Sequence, residues 1–181
     1  MDGANFSPTW ATISRGTGIQ IELRYATTEN FTHKRVYRSG RCRLRPAAAT
    51  ALVAAQRELR ARGLGLKVWD CYRPLSVQKV FWSLVPDERY VADPAKGSRH
   101  NRGAAVDVTL VDARGRELPM PTKFDDFSER AHRDFAALPE DARRNRALLE
   151  DVMTRHGFTG LPTEWWHFDL NGWEAYEIPN E

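Results

Sequence analysis

The sequence predicts an α+β fold built on a central, mostly antiparallel sheet with flanking helices. Three observations carry that expectation. The elements read from the residue pattern run β-α-β-α-loop-β-β-α-β, an order too irregular for a doubly wound parallel sheet. A turn signal at Asp112 to Gly115 inside "AAVDVTLVDARGRELP" reads as a hairpin connection. No GxGxxG or phosphate-loop pattern is present to mark a nucleotide-binding parallel sheet. With 181 residues and no repeats or long linkers, the chain reads as one domain, residues 1–181.

Each element has a local reason. "GIQIELRYA", Gly18 to Ala26, alternates Ile19, Ile21 and Leu23 with polar residues, as a half-buried strand does. "RPAAATALVAAQRELRARG" reads as a helix, with Pro46 at its first position and Gly63 as its stop. "LGLKVWDCY", Leu64 to Tyr72, is the next strand, and Pro74 opens the helix "LSVQKVFWSLV". A polar loop of Pro and Gly follows, then the strand of "AAVDVTLVD" and a return strand after its turn. "PEDARRNRALLEDVMTRHGF" is an amphipathic helix that places Leu148, Leu149, Val152 and Met153 on or near one face. "EWWHFDL" is the last strand.

Composition excludes several classes. The chain is 41% hydrophobic and 28% charged, as ordinary globular proteins are. No apolar run approaches the roughly 20 residues that cross a bilayer. The N-terminus lacks the basic head and apolar stretch of a signal peptide, so a cytoplasmic location is expected. Cys42 and Cys71 lie far apart in sequence, and a reducing compartment would keep them as thiols. The net charge of +3 comes from arginine, which outnumbers lysine 22 to 5. These arginines are scattered among 24 acidic residues rather than clustered, so no nucleic-acid partner is expected.

The chemistry concentrates in "SRHNRGAAVDVTL" and "TEWWHFDL". Asp107 sits inside a very apolar strand, and a buried lone carboxylate is costly. A metal, an arginine or backbone donors would each serve as its partner. Adding His100 and His167 gives two imidazoles and one carboxylate, a frequent catalytic zinc set that leaves a fourth position open. Such a site still needs a base, and Glu164, three residues before His167, is the candidate. Strand geometry objects, because residues three apart point to opposite faces. A bend near Pro162 would remove the objection. Arg73, in "WDCYRP", ends a strand and offers a permanent positive charge for an oxyanion. His33, His132 and His156 read as structural.

At these residues the sequence resembles the zinc D-alanyl-D-alanine dipeptidases associated with vancomycin resistance. "SRHNRGAAVD" resembles their S-x-H-x-x-G-x-A-x-D signature, "EWWHF" their E-W-W-H segment, and "WDCYRP" their D-x-Y-R-P. "RYATTENFTHK" and "FDDFSERAH" resemble two further blocks, in the same order along the chain. The wider superfamily includes D,D-carboxypeptidases and the hedgehog signalling domain.

The resemblance implies a hedgehog/D,D-peptidase-like fold and one Zn2+ per chain, held by His100, Asp107 and His167. It implies Glu164 as catalytic base and Arg73 as the oxyanion partner. It places Tyr25, Ser98 and Asp125 against a D-Ala-D-Ala dipeptide, with Asp125 facing the substrate ammonium. The implied reaction is direct hydrolysis: Glu164 takes a proton from water and passes it to the leaving amine. Two departures stand out. The loop between Val85 and Ser98 is shorter than in the resistance enzymes, which opens the alternative of a D,D-carboxypeptidase acting on longer peptides. Arg99 stands where those enzymes commonly carry serine, and is a candidate for a substrate carboxylate. A non-catalytic zinc or peptide-binding module is the third reading, which the presence of Glu164 and Arg73 opposes.

Overall fold

The computed structural model describes residues 9–180. Its strands are β1 (Ala11–Thr12), β2 (Gln20–Ile21), β3 (Arg43–Leu44), β4 (Leu64–Asp70), β5 (Ala105–Asp112), β6 (Phe158–Leu161) and β7 (Glu164–Leu170). Its helices are α1 (Pro46–Arg60), α2 (Leu75–Leu84) and α3 (Glu140–Arg155). The main sheet has the order β2-β4-β5-β7-β6, and β1 pairs separately with β3. Only β2 and β4 run parallel within the main sheet; the other three pairings are antiparallel. The α+β architecture with a mostly antiparallel sheet is therefore as expected.

Helix α1 begins at Pro46, whose missing N–H costs nothing in a first turn. It buries Ala48, Leu52, Ala55 and Leu59 at helical spacing. Its buried Gln56 spans to the sheet: the side chain accepts from the Leu66 N–H at 2.7 Å and donates to the Gly18 carbonyl at 3.2 Å. Helix α3 buries Leu149, Val152 and Met153, and packs against α1, β5, β6 and β7. The central strand β5 is buried from Ala105 to Val111, so both faces of the sheet are covered.

Four expectations need correction. The strand over residues 18–26 shortens to Gln20–Ile21, because Leu23 leads into a 3-10 turn at Arg24–Ala26. The return strand after Gly115 does not form. The turn closes, but only an isolated bridge joins Val111 to Glu117, and Pro119 and Pro121 stop any ladder beyond it. The hairpin that does form is β6–β7, whose first strand the residue pattern does not announce. Finally, Cys42 and Cys71 are joined as a disulfide rather than held as thiols, since the fold brings their Cα atoms to 5.3 Å. Residues that are far apart in sequence become neighbours because β3 lies beside the end of β4: the Tyr72 N–H donates to the Arg43 carbonyl.

Two irregularities interrupt the register of the sheet. Between β4 and β5 the register shifts after Val68, so that Asp70 sits opposite Asp107 instead of Val106. Between β6 and β7 it shifts after Gly160, so that Leu161 pairs with Glu164. Each bulge turns an acidic side chain toward the face it would otherwise point away from.

Candidate active site

Asp107 and His167 are directly opposite each other in the β5–β7 pair, so their side chains share a face. His100 reaches them from a short 3-10 helix, Arg99–Arg102, between the cavity wall and β5. Ser98 caps that helix: its hydroxyl accepts from the His100 N–H, while the Asn101 side chain accepts from the Ser98 N–H. Gly103 ends it in a left-handed conformation, φ 71°.

The hydrogen bonds at the outer ring nitrogens fix what the inner ones can do. His100 Nδ1 is 2.8 Å from the Cys71 carbonyl, which can only accept, so Nδ1 carries the proton and Nε2 a lone pair. His167 Nε2 is 2.7 Å from Asp169 Oδ1, which leaves Nδ1 with the lone pair. His100 Nε2, His167 Nδ1 and Asp107 Oδ1 then lie 3.1 to 3.2 Å from one another. Tetrahedral zinc with nitrogen and oxygen ligands sets its donor atoms about 3.3 Å apart. Three buried donor atoms converging at that spacing fit a metal ion, and without one a proton on His167 must supply the positive charge. The same demand for positive charge is visible in the side chains. Burial opposes a charged His167, yet Asp169 and Asp107 push its pKa up to about 10. Burial likewise works against an ionised Asp107, but the two histidines hold it well below the usual carboxylate range.

Glu164 answers the geometric objection. The bulge at the start of β7 lets it share His167's side of the strand, with Oε2 3.9 Å from His167 Nδ1. Its carboxyl is pushed up to about 8, first by burial, then against the pull of His167 by the charges of Asp107 and Asp125. A carboxylate with a pKa near neutrality suits proton transfer.

Arg73 follows β4 and is buried. Its Nε and Nη2 donate to Asp70 Oδ2 at 3.2 and 2.7 Å, and its Nη1 donates to Gln78 Oε1 at 2.7 Å. The guanidinium also lies 4.7 Å from the Phe81 ring. Among the described residues, three of its five N–H groups are committed in these bonds and two are not. The backbone beside it is locked to the histidine turn: the Arg73 N–H donates to the His100 carbonyl, and Asn101 donates to the Arg73 carbonyl.

These groups surround a cavity of about 80 Å³. Tyr25 closes one side and donates to Asp125 Oδ2 at 2.7 Å. Asp125 adopts φ 58°, a left-handed conformation that Asp tolerates better than most residues. Burial, with Asp107 adding to it against the Tyr25 hydrogen bond, pushes its carboxyl up to about 8. The loop of residues 86–97 forms another wall through Glu88 to Ala92. Gln78 donates to the Ala92 carbonyl and Thr163 to the Arg89 carbonyl, so this loop is fastened at the cavity. Trp165 and Trp166, on the same strand as Glu164 and His167, are fully buried and pack edge-on.

The family model described as D-ala-D-ala dipeptidase matches residues 11–179. The chain belongs to the D-Ala-D-Ala dipeptidase family. A D-alanyl-D-alanine dipeptidase of Escherichia coli (strain K12) is 42% identical over 160 residues, covering 88% of this chain and 83% of that protein. One from Enterococcus faecalis is 33% identical, covering 84% of this chain and 86% of that protein. One from Streptomyces coelicolor is 34% identical, covering 85% and 87%.

In this member of the dipeptidase family all eight residues singled out from sequence line one cavity: Tyr25, Arg73, Ser98, His100, Asp107, Asp125, Glu164 and His167. Tyr37 lies outside the cavity lining and donates to Asp70 Oδ1 at 2.5 Å. His156 pairs with Glu58, outside the cavity. Sequence reasoning missed Asp70, Gln78 and Asp169, which hold Arg73 and His167. Asp169 had a usable signal, because it lies two residues after His167 and so on the same face of the strand.

Proposed function

We propose that this chain is a zinc-dependent hydrolase of the D-Ala-D-Ala dipeptide. The convergence of three lone pairs, His100 Nε2, Asp107 Oδ1 and His167 Nδ1, beside a base-forming carboxyl carries the reading. The donor set of two imidazoles and one carboxylate is one zinc favours in catalytic sites. When bound, the ion supplies Lewis acidity toward the scissile carbonyl and lowers the pKa of water at the site. Glu164 accepts the proton of the attacking water and returns it to the leaving amine. Arg73, held by Asp70 and Gln78, turns its two uncommitted N–H groups to the oxyanion.

Asp125 and Tyr25 receive the substrate's free ammonium. A free N-terminus separates a dipeptide from a longer chain, so a buried carboxyl facing it selects by size as well as charge. The small cavity and its fastened loop favour the dipeptide over a pentapeptide ending in the same pair. The relatives named D-alanyl-D-alanine dipeptidase support the same substrate.

No helix among the described residues is long and apolar enough to cross a membrane. The cytoplasmic location expected from the N-terminal segment and the Cys42–Cys71 bond make opposite demands, because cytosolic thiols are kept reduced. Cell fractionation followed by thiol labelling decides between them.

The test of function is D-alanine release from D-Ala-D-Ala and from a pentapeptide with the same terminus. Turnover of the dipeptide alone is expected. Hydrolysis of the pentapeptide alone would reassign the chain as a D,D-carboxypeptidase, and zinc binding without hydrolysis of either would make it a binding module.

A further inference from the structure

His167 presents Nδ1 to the other two donor atoms, and something must decide that this nitrogen, not Nε2, carries the lone pair. The group that does so is Asp169. It follows two residues later on β7, on the same face, with Oδ1 2.7 Å from His167 Nε2. Across the β5–β7 pair it faces Ala105, whose methyl group leaves room for the carboxylate to lean along the strand. Its side chain is largely buried, at 13% exposure. Its other oxygen, Oδ2, lies 3.7 Å from Arg99 Nε, and the Arg99 guanidinium rests 4.5 Å from the Trp173 ring.

We propose that Asp169 is a positioning residue that fixes the His167 tautomer and ring orientation for metal binding. The inference rests on the proposed zinc site and concerns only how the chain prepares its ligand. An ionised carboxylate can only accept, so it places the imidazole proton on Nε2 and leaves Nδ1 open. The short contact also stops the ring from turning about its Cβ–Cγ bond, which would otherwise sweep Nδ1 away from Asp107. His100 has the same kind of support from the Cys71 carbonyl, a backbone group that no side-chain substitution removes. Asp169 is therefore the side chain through which the arrangement is testable. Arg99, read from sequence as a candidate for a substrate carboxylate, is drawn toward Asp169 and steadies it.

Outer partners of this kind typically change metal affinity 10- to 100-fold when removed. The experiment measures zinc dissociation constants by competition with a chromophoric chelator, for the unsubstituted protein, Asp169→Ala and Asp169→Asn. Thermal melting of the three metal-free proteins is recorded alongside. Asp169→Ala is expected to weaken zinc binding about 10- to 100-fold. Asp169→Asn is expected to recover most of that loss, because its amide oxygen still accepts from Nε2–H. Each metal-free protein should still melt cooperatively, which shows that all three are folded when zinc affinity is compared. Equal zinc affinity in all three proteins overturns the proposal, as does a loss in Asp169→Ala that Asp169→Asn does not repair. Failure of the unsubstituted chain to bind zinc overturns the metal reading itself, so the two failures are distinguishable.

Discussion

Glu164 Oε2 lies 3.9 Å from His167 Nδ1 although three residues separate them on one strand, where regular geometry would set them on opposite faces. The bulge at Leu161 makes the contact possible and underlies the proposed division of roles, His167 as metal ligand and Glu164 as base. General bases contribute roughly 10²- to 10⁴-fold to rate. Glu164→Gln should therefore lower kcat for D-Ala-D-Ala within that range while leaving zinc content unchanged. Steady-state kinetics and metal analysis on one preparation check it; loss of zinc together with rate would instead make Glu164 a ligand.

Substitution separates the structural role of Arg73 from its proposed oxyanion role. Its contacts to Asp70 and Gln78 hold it, and its side chain lines the cavity. Loss of an oxyanion donor costs about 10²- to 10³-fold in kcat. Arg73→Ala should show that loss and also lower the melting temperature, because Asp70 is fully buried and would be left without its cation. Arg73→Lys keeps the charge and should recover stability more than rate, since an ammonium cannot reproduce the forked contact. Rate recovery equal to stability recovery would argue against an oxyanion role.

The acidic groups give the metal-free chain a defined pH dependence. Asp125 and Glu164 are pushed up to about 8 in the fold, above their unfolded values near 4. Between those values the folded chain binds more protons than the unfolded one, so stability falls as pH rises. Their contribution is complete below about pH 4 and lost through about pH 8. His167, pushed up to about 10, extends the loss in the same direction at higher pH. Thermal melting of chelated protein should therefore fall from pH 5 to pH 9, and Asp125→Asn should flatten the slope. A rise over that range contradicts these shifts.

Cys42 and Cys71 close a loop with a sequence separation of 29, and Cys71 supplies the carbonyl that orients His100. Closing a loop of that size is worth ~3.5 kcal/mol in the chain-entropy model. Cys42→Ser should lower the melting temperature clearly under non-reducing conditions and make it insensitive to reductant. An unchanged melting temperature would show that the bond does not constrain the unfolded chain.

Much of the fold was legible in the chain because periodicity reports burial. Pro46, Leu52 and Leu59 marked α1, and Ile19 to Leu23 marked a strand start. His100, Asp107, Glu164, His167 and Arg73 were legible as a chemical set, whereas Tyr25, Ser98 and Asp125 were reached only through the family resemblance. What escaped was register. The bulge at Val68/Asp70 has no local sequence signal and the one at Gly160/Leu161 is announced only by Pro162 beside it, yet they decide where Asp70 and Glu164 point. The disulfide escaped for a similar reason: only the placement of β3 beside the end of β4 brings Cys42 to Cys71. The β6 strand, "FTGL", is too short for alternation to stand out, and pairing with β7 determines it.

The proposed hydrolysis depends on one zinc ion held by His100, Asp107 and His167. The decisive measurement is zinc content per chain together with D-alanine release from D-Ala-D-Ala, before chelation, after chelation and after zinc is returned. About one zinc per chain is expected, with loss of turnover on chelation and recovery on adding zinc back. Full turnover by protein stripped of metal would contradict a zinc-dependent reaction at these three residues.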